Sequence, residues 1–156
     1  MLSRVADSIV WMCRYIERAE NVARFIDVNT HLAMDLGTEG MGATDQWAPL
    51  VRTTGDFDLF SELCGAPDQR KTIEFLTFDD RNPNSILSCL RAARENARTV
   101  REMISSPVWE ELKKFYLMVL AARRDPDLLD SAYDFFKRVI LSSHLLEGIT
   151  VATMSH

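Results

Sequence analysis

No stretch of the chain alternates polar and apolar residues with period two, which leaves no signal for a half-buried sheet strand. No apolar run approaches the roughly 20 residues needed to span a bilayer; the longest, "YLMVLAA" from Tyr116, is far shorter. Basic residues are not in excess. The formal net charge is −5 and the pI about 5.2, which argues against a general nucleic-acid binder and against docking on an anionic membrane. The cysteines number three, at positions 13, 64 and 89. An odd count at long spacings gives no disulfide framework and no zinc pair, and reads as reduced thiols in a cytoplasmic protein. The opening "MLSRVADSIVWMC" is broken by Arg4 and Asp7, so it is no signal peptide.

What is present is helical periodicity. The 156 residues suit one domain, 1–156, with 47% hydrophobic and 26% charged residues. From Ser3, read as an N-cap, to Leu36, with Gly37 closing, the residues Val5, Ile9, Met12, Ile16, Ala19, Ala23, Ile26, Thr30 and Ala33 step by four and three along one seam. A helix of that length, roughly 48 Å, has to be held by packing. Trp11, Tyr15, Val22, Phe25, Leu32 and Leu36 form an adjoining apolar arc, so the helix is expected to be central and covered over more than half its circumference.

"GTEGMGAT" at 37–44 reads as a loop, with Thr44 a cap for a short helix containing Pro49. Asp56 and Asp68 cap two further short helices, "FDLFSELC" and "QRKTIEFLTF". After the turn cluster "DDRNPNS", a helix follows Ser85 with its seam at Ile86, Leu90, Ala93, Ala97, Val100 and Ile104. Ser106 then reads as N-cap and Pro107 as N1 of the next helix, and Asp125 and Pro126 open the last. The last seam is Leu128, Ala132, Phe135, Val139, Ser143, Leu146, Thr150 and Thr153. The fold expected is an all-α bundle of about five or six helices.

One segment of the first helix, "RYIERAENVARFID", carries more charge than a core helix needs. Glu17, Asn21, Arg24 and His31 share a stripe beside the apolar seam, flanked by Glu20 and Asp27; Glu20–Arg24 and Asp27–His31 are i,i+4 pairs. Two readings stay open. In one, the stripe is a solvated face of weak ion pairs. In the other it faces an internal cleft, where Asn96 and Glu147 from two other helices join it, and Arg14, Arg18 and Arg24 neutralise the carboxylates or clamp an anion.

Other chemistries fit less well. "HLLE" reverses the Glu-x-x-His order of di-metal bundles, so no metal is expected. "GTEGMG" lacks the lysine and strand context of a phosphate loop, and Ser105 and Ser106 have no His partner. No cofactor is expected, and no catalytic residue can be assigned.

"MLSRVADSIVWMCRYIERAENVARFIDVN" resembles the start of the alpha-E family, an all-helical bacterial group named for a Glu-Arg motif. "WAPL", "NSILSCLRAARENARTVREMIS" and the closing "TMSH" resemble it too. The motif maps onto Glu17 and Arg18, with Glu20 and Asn21 following. Family members are longer, with a second Glu-Arg helix, so the resemblance implies that this chain corresponds to the N-terminal half and pairs as a homodimer. Family genes lie near circularly permuted ATP-grasp ligases and transglutaminase-like proteins. The resemblance therefore implies a part in forming or modifying peptide or amide bonds. The function expected is a non-catalytic accessory or binding module for an ATP-grasp-type ligase, acting through Arg14, Glu17, Arg18, Glu20, Asn21, Arg24, Asn96 and Glu147. The alternatives are an enzyme with a Glu general base and an Arg anion clamp, and a purely structural interaction protein in which the motif fixes helix register.

Overall fold

The structure, a computed structural model, describes the backbone of residues 2–36 and 43–154 and the side chains of 3–32 and 47–154. Among the described residues it is all helical, with seven α-helices and no strand. They are α1 (Leu2–Leu36), α2 (Ala43–Thr53), α3 (Phe57–Cys64), α4 (Gln69–Phe78), α5 (Ile86–Thr99), α6 (Ser106–Ala122) and α7 (Ala132–Met154), with a 3₁₀ turn at Leu128–Ser131 before the last. The helices outnumber the expected five or six because 43–53, 57–64 and 69–78 each close separately.

α1 is central. It packs most extensively on α5 and next on α7, with α2 and α4 beside it, while α6 braces both α5 and α7 from the far side. Its seam is the expected one. Met12, Ile16, Ala19, Ala23 and Ile26 are buried, and Val5, Ile9 and Thr30 half-buried. The facing seam of α5 is equally small-sided, with Ala93 and Ala97 fully buried beside Cys89 and Leu90. Alanines on both helices let the backbones approach closely along the contact. Phe60 of α3 and Phe75 of α4 meet edge to face at 5.1 Å, and Phe115 of α6 and Phe136 of α7 are likewise fully buried.

The second apolar arc of α1 departs from expectation. Val22 is buried and Tyr15 half-buried, but Trp11, Phe25 and Leu32 are exposed, as are Val10 and Val28. The end of α2 and the turn before α5 border this arc only at Val22 and Phe25, so α1 presents a largely uncovered apolar face.

One expected cap holds, at Asp68; Ser85 adds another, and several shift. Asp68 accepts from the Lys71 amide at 2.8 Å and Ser85 from that of Ser88 at 3.1 Å. α1 already runs at Leu2, which puts Ser3 inside its first turn. Ser105, not Ser106, caps α6, accepting from the Val108 amide at 3.3 Å. α5 ends at Thr99, short of Ile104. Asp125 and Pro126 do not open α7; the 3₁₀ turn intervenes. α2 already runs at Thr44 and includes Pro49. The proposed roles of Gly37, the 37–42 loop and the Thr44 side chain lie outside the described residues.

Asp56 precedes α3 without capping it through its side chain. Its buried carboxylate instead accepts from the Asn84 amide at 3.0 Å, while fully buried Asn82 donates to the Phe75 carbonyl at 3.2 Å. The turn cluster before α5 is thereby tied to α3 and α4, and it is carried up against α1.

Candidate functional site

Successive residues on a helix point about 100° apart. Glu17 and Arg18 therefore cannot share one groove, and the structure separates them. Glu17 faces α7. It lines a groove of about 520 Å³ with Cys13, Ile16, Glu20 and Asn21 of α1 and Ser143, Leu146, Glu147, Thr150 and Val151 of α7. Arg18 faces the turn before α5, in a shallower groove of about 300 Å³ with Val22, Phe25, Thr53, Thr54 and Asn84. Asn21 sits on the ridge and lines both.

Glu17, Arg18, Asn21, Arg14 and Arg24 are all exposed. The stripe is a wetted surface between two grooves, not a packet inside the bundle. Its neutralisation is partial. Arg24 Nε donates to Glu20 at 3.2 Å, the expected i,i+4 pair, and His144 of α7 completes a three-way contact. His144 Nε2 lies 3.2 Å from Glu20 and 2.8 Å from an Arg24 amino nitrogen. Unprotonated there, the ring accepts from Arg24; protonated, it donates to Glu20. Farther along, His31 approaches Asp27 at 3.6 Å, the second expected pair. Arg24 and His31 are each almost half exposed, so such pairs contribute a few tenths of a kcal/mol.

Arg14 and Arg18 do not neutralise the acids. Arg14 lies over the Trp11 ring and Arg18 over that of Tyr15, each 5.5 Å from the centroid, and the two rings are 5.8 Å apart. The four side chains form a ladder along α1. Arg18 also donates to Asn84 at 3.4 Å, which links it to Asp56. Glu17 and Glu147 have no ion-pair partner among the described residues. Asn96 takes no part in either groove: its amide donates to the Ala92 carbonyl one turn back at 2.9 Å, so its own helix satisfies it. Two other clefts, of about 430 and 620 Å³, lie near the α6–α7 connection and contain none of the candidate binding residues expected from the sequence.

Ser143, His144, Thr150, Cys13 and Asn84 join the surface without having been singled out for it. Ser143 and Thr150 were legible only as seam positions of the last helix, and their place opposite Glu17 depends on how α7 registers on α1. Among the described residues no three His, Cys, Asp or Glu side chains converge closely enough to hold a metal ion, and no helix is long and apolar enough to cross a membrane.

An all-helical domain with a Glu-Arg pair displayed on its longest helix is the class that this architecture defines. A family model, Alpha-E, described as a predicted alpha-helical domain with a conserved ER motif, matches residues 1–156, and the chain belongs to that family. Glu17-Arg18 is the one Glu-Arg dipeptide in the sequence. No curated protein and no solved structure matches the chain.

The groove acts on Cys13. Burial pushes this half-buried thiol above its ordinary value, and the negative charges of Glu17 and Glu147 push it further. Removing one charge lowers it and raises the thiolate fraction. In a Cys64→Ser background, Glu147→Gln should speed alkylation of Cys13 by iodoacetamide roughly twofold to fivefold near neutral pH. Cys89, fully buried and pushed up to about 12 chiefly by that burial, should stay silent. An unchanged Cys13 rate would place Glu147 outside the groove.

Proposed function

We propose that this chain is a non-catalytic binding module that docks a partner through the outward face of α1. The partner we propose is an ATP-grasp-type ligase of peptide or amide bonds, the class that the family resemblance implies. The observation that carries this reading is the Arg14–Trp11–Tyr15–Arg18 ladder, flanked by uncovered Val10, Phe25, Val28 and Leu32. Tryptophan, tyrosine and arginine dominate binding hot spots, and arginines already stacked on rings lose little freedom on contact. A Glu general base is less well supported. Glu17 stands exposed in an open groove, and Glu20 is already engaged by Arg24 and His144. The unpaired thiols support a cytoplasmic setting.

The ligase arm is tested with a purified ATP-grasp-type ligase from the same genome. Trp11→Ala and Arg18→Glu should each weaken binding by about tenfold or more while shifting Tm by less than about 4 °C. Wild-type affinity in both variants would remove the docking face from α1.

Self-association is proposed on a different face. Exposed Leu141, Leu145, Gly148 and Ala152 step by four and three along the outer side of α7, a strip without charge that suits a second copy of the helix. Light scattering at roughly 100 μM should give a dimer, with Leu145→Asp a monomer; a wild-type monomer at that concentration would contradict it.

A further inference from the structure

The α1–α7 groove has walls of mixed character. Its acidic side is Glu17 on α1 and Glu147 on α7, neither paired with a cation among the described residues. Both charges act on the Cys13 thiol that also lines the groove, so their fields overlap there. Ser143, only 3% exposed, also lines the groove, and its hydroxyl makes no hydrogen bond to another described residue. Threonines of the same helix return their hydroxyls to the backbone one turn back; Thr150, for example, donates to the Leu146 carbonyl at 2.7 Å. Ser143 does not, and a hydroxyl that lines a groove without an internal partner can accept from a donor placed there. The remaining wall is aliphatic, made by Ile16, Leu146 and Val151.

We propose that this groove binds a primary alkylammonium group, its head between Glu17, Glu147 and Ser143 and its methylene stem along Ile16, Leu146 and Val151. An ammonium carries three donors and no acceptor, which matches two carboxylates and a hydroxyl. It relieves the repulsion of two like charges sharing one groove, and an aliphatic stem covers apolar wall while its charged head stays at the wet end. A metal ion fits less well, because no three ligating side chains of the described residues converge. An anion is excluded by the sign of the charge. The proposal goes beyond the docking face on the Arg-aromatic ladder and uses the groove on the other side of the Asn21 ridge.

The test is an NMR titration of the isotope-labelled full chain with 1,5-diaminopentane and, separately, with a blocked tripeptide having lysine at its centre. Saturable shifts at Cys13, Ser143 and Thr150 are expected with at least one of them, and the tighter binder identifies the source as a free diamine or a protein side chain. Glu17→Gln, Glu147→Gln and Ser143→Ala should each weaken binding about threefold to tenfold with the helical content and melting temperature of the parent. Pentan-1-ol should not saturate. Saturation by the alcohol at the same concentration, no saturation by either amine up to about 10 mM, or unchanged affinity in the three variants would overturn the proposal. Loss of amine binding with intact ligase capture removes the ligand alone. Wild-type ligase affinity in Trp11→Ala and Arg18→Glu with intact amine binding removes the docking face alone.

Discussion

Everything in this bundle depends on the contact between the small side chains of α1 and those of α5. A helix of 35 residues, about 52 Å long, is not stable in water on propensity and needs a partner along its length. Ala19 and Ala23 on one side and Ala93 and Ala97 on the other bring the two backbones together where bulkier residues would hold them apart. Once α1 is seated, α7 packs along its neighbouring side and α6 braces the pair. The remaining circumference of α1 is open, and the Glu-Arg motif sits at its two borders, Glu17 beside α7 and Arg18 beside the turn before α5.

The motif owes its chemistry to helix geometry. Because Glu17 and Arg18 are neighbours in sequence, they diverge around the helix, and each is taken up by a different surface. The glutamate gives an acidic, partly aliphatic groove against α7. The arginine gives a cationic, aromatic ladder on the open face, anchored through Asn84 to the turn that Asp56 secures. Asn21 borders both. One dipeptide thus serves two surfaces of opposite charge, which suits a module that holds one binding partner on each side of a ridge.

Much of this was legible from local pattern. The seam from Met12 to Ile26 follows from 3.6-residue periodicity, the Asp68 cap from residue type, and the Glu20–Arg24 and Asp27–His31 pairs from i,i+4 spacing. What was not legible depends on tertiary placement. Trp11, Phe25 and Leu32 have the periodicity of a covered arc, yet periodicity says only which residues share a face and nothing about what lies opposite. The polar stripe was likewise readable as a stripe, while its exposure was not. Asn96 shares an edge with an apolar seam but bonds to its own helix, a choice local spacing leaves open. His144 reaches Glu20 and Arg24, and Ser143 the groove, only through the register of α7 on α1. The one-residue shift from Ser106 to Ser105 arises because Pro107 is compatible with either of the first two helical positions.

Overpacking the alanine contact tests the central claim most directly. Ala23→Leu forces bulk into a fully buried position facing α5, whereas Ala6→Leu places the same side chain on an exposed position of the same helix. Denaturant unfolding followed by circular dichroism should show Ala23→Leu less stable than the parent by about 1–3 kcal/mol, with Ala6→Leu within about 0.5 kcal/mol of it. Equal stability of the two variants would mean that α1 is not held by close approach to α5, and the account of how its open face is positioned would fall with it.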